Sequence, residues 1–259
     1  MRSKPKARLD LTVVVPVYNN AATLALLCQE LKSALSSLGL SYELLFVNDG
    51  STDGSADCLA RLGGEHPEVT VVELKRNFGQ QIAVLCGIER ASGAHCAIMD
   101  ADFQDPPSAL PALWRARSPS TLAVFAGRRG RYQSFGRHLT SLTYRTLLSL
   151  LTGLPREASM YVLIDRKLAE GLLTFPAPRP SIPAMIGALG VPVTTVPVKR
   201  LMRMHGRSGY TSLARIRAAL DGFACVFSYR LGIGREPYLK ARGNPIVADV
   251  RSARILATE

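Results

Sequence analysis

The run "LTVVVPVY" (residues 11–18) is apolar at nearly every position and ends at the polar pair Asn19-Asn20. Three later runs have the same character: "YELLFVND" (42–49), "VTVVEL" (69–74) and "AHCAIMD" (94–100). Their starts lie about 25–30 residues apart, with helix-like segments between them. Strands that are apolar on both faces are typical of parallel sheets covered by helices. We therefore predict an α/β protein with a mostly parallel sheet flanked by helices over the first ~105 residues.

The order of elements is less regular further along the chain. Residues 122–129 and 191–200 are predicted strands, 134–151 is a predicted helix, and 160–173 is a strand followed by a helix. Residues 211–228 form an amphipathic pattern, which favours a helix packed on its own domain over one lying on a membrane. We divide the chain into a basic N-terminal tail (1–9), one main domain (10–230) and a C-terminal extension (231–259).

The composition is that of a globular protein, with 47% hydrophobic and 20% charged residues. Five cysteines form no C-x-x-C pair and mostly lie in apolar stretches, so we expect buried, reduced thiols and a cytoplasmic protein. The basic start is interpreted as a tail before a strand and not as a signal peptide. No run is long and apolar enough for a spanning helix, so any membrane contact should be peripheral, at the inner face.

The net charge of +12 is distributed unevenly. Residues 106–156 hold eight basic and no acidic side chains, and residues 199–259 hold twelve basic against four acidic. This indicates that the second half handles an anion, although an arginine-rich composition alone remains the alternative. We expect no nucleic-acid partner, and homo-oligomerisation stays open.

Polar residues follow each of the first four strands, where ligands bind in open parallel sheets. A dinucleotide cofactor is disfavoured because the turn after the first strand, "PVYNNAAT", contains no glycine. The fourth cluster, "MDADFQD" (99–105), offers hard oxygen ligands in Asp100, Asp102 and Gln104, which share a face if the segment is extended. We predict that these three residues hold Mg²⁺ or Mn²⁺, the alternative being a solvated acidic loop.

The ordered motifs "VVVPVYNN", "FVNDGSTDGS", "LKRNFGQ", "MDADFQDPP" and "RMHGRSGYTS" resemble the family 2 glycosyltransferases over roughly residues 10–230. The resemblance is strongest to dolichol-phosphate mannose synthases and bacterial polyprenyl-phosphate glycosyltransferases. It implies a nucleotide-diphospho-sugar transferase (GT-A type) fold and inverting transfer of a sugar from a nucleotide-diphosphate donor. Two C-terminal membrane helices common in the bacterial relatives have no counterpart here.

The resemblance also implies roles for individual residues. The phosphate of a polyprenyl-phosphate-like acceptor would be held by Arg137 and Ser141, with Arg128 or Arg129 as a second arginine. Asp102 would act at the reacting centre. The donor would be bound by residues of the strand ends and of a late loop, namely Pro16, Tyr18, Asn20, Asp49, Arg76, Asp100, Ala101, Arg203, Arg207 and Ser208.

Four positions depart from the family pattern: Asn20 replaces glutamate, Asn48 aspartate, Met160 aspartate and Gly209 lysine. These departures leave open a soluble transferase acting on a hydroxyl, or a degenerate nucleotide-binding or scaffold protein. A hydroxyl acceptor needs a general base, for which Asp165 is the candidate, whereas a phosphate acceptor is already anionic and needs cations. The basic block at 106–156 favours the phosphate-bearing acceptor.

Overall fold

The computed structural model describes residues 9–129, 135–177, 179–201, 212–233, 236–241 and 247–252. Among them, eight strands form one sheet in the order β7-β5-β6-β4-β1-β2-β3-β8. The strands are β1 Leu9–Val17, β2 Tyr42–Asn48, β3 Val69–Leu74, β4 Gly93–Ile98, β5 Ala123–Arg129, β6 Val162–Asp165, β7 Val193–Lys199 and β8 Val247–Ser252.

The helices cover both faces of this sheet, as the sequence predicts. They are α1 Ala21–Ser36, α2 Ser55–Glu65, α3 Gln80–Arg90, α4 Leu110–Arg115, α5 Phe135–Thr152, α6 Arg166–Leu173, α7 Ile182–Leu189, α8 Ser212–Arg230 and α9 Tyr238–Ala241. One apolar layer joins α1, α2 and α4 to the sheet, and a second layer joins α3, α6 and α7 to its other face.

The four central strands form the parallel sheet that the apolar runs predict. β1 pairs in parallel with β2 and β4, and β2 pairs in parallel with β3. Residues Leu11 to Val17 are all buried, because helices cover the sheet on both sides. The reversal of strand order between β2 and β4, on either side of β1, is the position at which such sheets open a crevice.

Two strands run against the rest. β6 is antiparallel to both β4 and β5, and β8 is antiparallel to β3 at the edge of the sheet. Because β8 lies in the C-terminal extension, part of residues 231–259 completes the sheet of the main domain and is not a separate unit.

All five cysteines are buried and unpaired. Burial raises the pKa of the Cys86 and Cys96 thiols to about 12, so they stay protonated at neutral pH. In the part of the chain that the structure describes, no helix is both long and apolar enough to cross a bilayer.

Candidate active site

The carboxyl ends of β1, β2, β3 and β4 lie at one edge of the sheet, because these strands are parallel and adjacent. Val17 is opposite Asn48, and Asn48 is opposite Glu73, so the loops that follow these residues start side by side. The four polar clusters of the sequence are therefore brought to a common edge, as predicted.

The loops after β1 and β2 are tied together by their own side chains. Asn19, in the left-handed region at φ 55°, accepts a hydrogen bond on Oδ1 from the Thr52 amide at 2.8 Å. Its own amide donates to Ser51 Oγ at 3.0 Å. Tyr18 stays 48% exposed beside these contacts. The two loops thus form one wall that presents an aromatic ring to solvent.

The neighbouring Asn20 is occupied within the same wall. Its amide donates to Ser55 Oγ at 3.0 Å, and its Oδ1 accepts from the Tyr18 amide at 3.3 Å. Pro16 lies within β1 and is buried. The Asn20 side chain therefore helps to fix the backbone at Tyr18 by accepting a hydrogen bond on its amide oxygen. The glutamate that the resemblance implies at this position could accept the same bond only with a carboxylate oxygen.

Asp49 joins the β2 loop to the loop after β3. It is 2% exposed, and its two carboxylate oxygens accept from the amides of Phe78 at 2.7 Å and Gly79 at 2.9 Å. Burial raises the pKa of Asp49, and the two backbone donors partly offset this effect. Its carboxylate thus lies in the wall of the site, where it fixes the loop that carries Arg76.

Gly50 allows this close approach. It has φ +65°, and a Cβ placed there would lie 2.6 Å from both the Arg76 carbonyl carbon and the Asn77 nitrogen. Any other residue would push the two loops apart. Arg76 itself is exposed and lies over the Phe78 ring, with its guanidinium carbon 4.8 Å from the ring centroid.

The departure at Asn48 has a structural explanation. Asn48 is 2% exposed, and its Nδ2 donates to Glu73 Oε2 at 2.7 Å. Burial raises the pKa of Glu73, and the hydrogen bond from the Asn48 amide partly offsets this increase. An aspartate at position 48 would place two carboxylates in contact, so the asparagine matches a glutamate on the neighbouring strand.

We expect Asn48→Asp to lower the free energy of unfolding at pH 7.5 by roughly 1–3 kcal/mol, since it leaves a buried and a half-buried carboxylate without a donor between them. The loss should shrink as the pH falls towards 5, because the pair can then share a proton. Urea unfolding at both pH values measures this.

The double variant Asn48→Asp/Glu73→Gln exchanges the two chemical groups and should recover most of the lost stability. If the double variant were as unstable as the single one, the pairing of these two side chains would not be the cause.

The acidic segment after β4 is a turn. Residues 101–105 form turns and bends, and Phe103 has φ 59°. The expectation of an extended segment, in which Asp100, Asp102 and Gln104 alternate onto one face, is therefore wrong. Phe103 lies in the left-handed region, and a residue there reverses the direction of the chain. Asp102 Oδ1 accepts from the Gln104 amide at 3.0 Å, which is a local contact of the turn.

Contacts from other elements hold this turn. Gln80 Nε2, at the start of α3, donates to Asp100 Oδ1. Thr23 Oγ1, on α1, donates to the carbonyl of the buried residue Ala101 at 3.2 Å. Asp100 and Asp102 are both half-buried at the surface of the site. In the described residues, no group of three or more His, Cys, Asp or Glu side chains is arranged to hold a metal.

Gln104 faces a cation that sequence reasoning missed. Arg200, directly after β7, donates from Nη2 to Gln104 Oε1. Its Nε also lies 3.9 Å from Oδ1 of Asp105, which is 1% exposed. The sequence places Arg200 in a basic block but gives no sign of which acidic residue it reaches. Gln80 was missed similarly, although its position at the start of α3 puts it at the same edge.

Asp165 does not belong to this edge. It lies opposite His95 in the pairing of β4 with β6, near the beginning of β4. Its Oδ1 accepts from the Leu168 amide at 2.8 Å and so caps α6. The expectation that Asp165 could serve as the base is corrected here: β6 is antiparallel, so its carboxyl end points to the opposite edge of the sheet.

Met160 lies at the active edge instead, just before β6, whose Val162 is opposite Ile98. The Gln81 amide donates to its sulfur at 3.4 Å. A thioether cannot remove a proton at neutral pH. The position at which the family resemblance implies an aspartate therefore carries no base in this chain.

The basic candidates fall partly outside the description. The backbone of Arg128 and Arg129 lies at the carboxyl end of β5, opposite Val198 and Lys199 of β7. Arg137 and Ser141 lie four residues apart in α5. The side chains of these four predicted residues lie outside the described part of the chain, as do Arg203, Arg207 and Ser208 entirely.

Comparison with known proteins places the chain in a family of transferases. The chain is 30% identical over 227 residues to an uncharacterized glycosyltransferase, YkcC, of Bacillus subtilis, covering 86% of this chain and 69% of that protein. It is 31% identical over 221 residues to the undecaprenyl-phosphate 4-deoxy-4-formamido-L-arabinose transferase of Edwardsiella ictaluri, covering 83% and 67%.

A solved structure shows the same architecture. The mannosyltransferase of Pyrobaculum calidifontis, in complex with GDP-Man and Mn²⁺, superposes with a TM-score of 0.59 at 25% identity, covering 92% of this chain and 69% of that one. This confirms the nucleotide-diphospho-sugar transferase (GT-A) fold. The family model described as "Glycosyl transferase family 2" matches residues 12–172. The chain is thus a glycosyltransferase that belongs to glycosyl transferase family 2.

Proposed function

We propose that this glycosyltransferase moves a sugar, with inversion, from a nucleotide-diphosphate donor to a phosphate-bearing, polyprenyl-phosphate-like acceptor, with the help of Mg²⁺ or Mn²⁺. The observation that carries the proposal is the acidic turn with Asp100 and Asp102, which lies at the same sheet edge as the walls built by Tyr18, Asp49 and Arg76. A donor diphosphate needs the metal, and its nucleoside needs the walls.

The nucleoside part of the donor fits the wall formed by the β1 and β2 loops. Tyr18 is the exposed aromatic residue on which a base can stack, and Asn20 fixes the backbone beside it. Asp49 holds the loop of Arg76 by both carboxylate oxygens. We infer that Asp49 acts on the nucleoside site through this loop and that Pro16 and Ala101 contribute backbone surface.

The residues present fit a divalent cation. Asp100 and Asp102 supply carboxylate oxygens and Gln104 an amide oxygen, which are the donors that Mg²⁺ and Mn²⁺ take together with water and phosphate. Gln80 orients Asp100 by a hydrogen bond to one of its oxygens, as groups behind a metal ligand do. When bound, the cation would neutralise charge that develops on the leaving diphosphate.

The acceptor is inferred from Met160, which lies at this edge and is not a base, and from the basic residues in the sequence block 106–156. A phosphate oxygen of the acceptor attacks the anomeric carbon from the face opposite the diphosphate, which leaves with the bonding electron pair, so the configuration inverts. No proton has to be removed, which agrees with Met160 at the active edge and Asp165 at the far edge. Arg128, Arg129, Arg137 and Ser141 are the proposed phosphate ligands, and Arg203, Arg207 and Ser208 those of the donor diphosphate.

We further propose peripheral contact with the inner face of an anionic membrane. α8 packs on its own domain, as expected, through Cys225 and Val226, but its Ile216 and Leu220 are 53% and 61% exposed. In α5 and α8 together, five arginines accompany one acidic residue, Asp221, which suits anionic lipid. The exposed large apolar side chains in α5, in α8 and in the three residues after α8 are Leu147, Leu150, Ile216, Leu220, Phe227, Leu231 and Ile233.

A donor and acceptor screen tests the proposed function. Thermal shifts with nucleotide-diphosphate sugars should appear with Mn²⁺ and vanish with a chelator. Product should then form with undecaprenyl phosphate in phosphatidylglycerol vesicles, and much less with inorganic phosphate or a soluble sugar alcohol. The protein should sediment with these vesicles and not with phosphatidylcholine vesicles. Transfer only to the sugar alcohol would reject the phosphate acceptor. Failure of the protein to sediment with either kind of vesicle would reject the membrane contact.

A further inference from the structure

Arg200 reaches from the end of β7 into the acidic turn. Its Nη2 donates to Gln104 Oε1, and its Nε lies 3.9 Å from Asp105 Oδ1. The Arg200 side chain is 15% exposed and that of Asp105 is 1% exposed, so the contact is largely shielded from water. The backbone next to Arg200 also contacts the turn, because the Leu201 amide donates to the Gln104 carbonyl at 2.8 Å.

The turn needs such a cation. Asp100, Asp102 and Asp105 place three carboxyl groups within six residues. Carboxylates this close repel each other unless a positive charge lies among them, and the repulsion grows as water is excluded. A guanidinium stays charged at every relevant pH and can reach two acceptors at once. Arg200 therefore provides positive charge from the protein itself.

We propose that Arg200 is a positioning residue that takes the place of the divalent cation while the metal is absent and competes with it for Gln104. The inference rests on the proposed function, in which Gln104 is a metal ligand. A guanidinium beside the metal position repels a divalent cation and occupies the same amide oxygen. Since the two compete, each must lower the affinity of the turn for the other by the same factor.

The test is a Mn²⁺ titration of the full chain without donor, followed by the electron paramagnetic resonance signal of free Mn²⁺. Arg200→Met should bind Mn²⁺ about tenfold more tightly than the wild type, which corresponds to about 1.4 kcal/mol. Arg200→Gln, which keeps amide donors for Gln104 and Asp105, should also bind more tightly and serves if the methionine variant does not fold. In chelator, the Tm of both variants should be lower, because Asp105 loses the positive charge of Arg200.

Arg117→Met is the matched control. Arg117 is a half-buried arginine that packs over Trp114, and its Nη1 lies 3.3 Å from His95 Nε2 at the far edge of the sheet. Its removal should leave Mn²⁺ affinity unchanged. Equal or weaker Mn²⁺ binding by the Arg200 variants would overturn the proposal. If the arginine had only a structural role, its substitution would lower Tm without raising the affinity for Mn²⁺. If Asp102→Asn bound Mn²⁺ like the wild type, the metal site itself would be wrong instead.

Discussion

Replacing Asp102 by asparagine should slow sugar transfer about a thousandfold, which corresponds to roughly 4 kcal/mol in the barrier. The substitution keeps the shape of the side chain, and the amide oxygen can still accept from the Gln104 amide within the turn. What is lost is a negative charge at the proposed metal position, and with it the stabilisation of the leaving diphosphate. Initial rates at saturating donor and acceptor, over a range of Mn²⁺ concentrations, measure the effect.

Folding should be nearly unaffected, because removing one of several neighbouring carboxylates relieves repulsion. Asp249→Asn serves as the control: Asp249 is an exposed carboxylate on β8, and its loss should change the rate by less than twofold. Activity of Asp102→Asn within a few fold of the wild type, at every Mn²⁺ concentration, would contradict the metal assignment.

The central sheet could be predicted because its physical signal is local. Residues 11–17 are buried on both sides of one strand, so every position except Thr12 is apolar and the run stands out in the sequence. The direction of β6 could not be predicted in this way. A short apolar run such as Val162–Asp165 has the same sequence pattern in a parallel and in an antiparallel strand. Only the pairing of β6 with β4 and β5 shows that it is antiparallel.

That missing direction explains the error at Asp165. A polar residue after a strand was expected at the ligand edge, as in the parallel part of the sheet, but in an antiparallel strand the same position faces the other edge. The partners of the acidic turn were missed for a different reason. Gln80 precedes Asp100 by 20 residues and Arg200 follows Gln104 by 96, so neither contact leaves a local pattern.

The amphipathic helix shows a further limit of pattern reasoning. Its apolar period was recognised, but the period does not say which stripe faces the protein. In the structure Cys225 and Val226 are buried, whereas Ile216 and Leu220, which belong to the apolar period of residues 211–228, are exposed. Phe223 packs against Tyr144 of α5, with ring centroids 5.3 Å apart. The helix has therefore a packed side and a second apolar side that remains available.

Arg137→Ala should reduce kcat/KM for a phosphate-bearing acceptor by roughly 10- to 150-fold, because a charge-assisted hydrogen bond contributes roughly 1.5–3 kcal/mol. α5 begins six residues after β5, and Arg137 and Ser141 are four residues, about one helical turn, apart near that beginning. Arg137→Lys should recover part of the loss, since it keeps the charge without the planar fork. Initial rates with varied acceptor at saturating donor give both constants.

Asp165→Asn is the decisive comparison, because a hydroxyl acceptor would need a base and this residue was the candidate. Asparagine caps a helix about as well as aspartate, so α6 should stay intact and activity should remain within a few fold. Its position opposite His95, at the edge away from Asp100, is the structural reason for this expectation. The reverse ranking, with Asp165 essential and Arg137 dispensable, would reject the phosphate acceptor and leave a transferase that acts on hydroxyl groups.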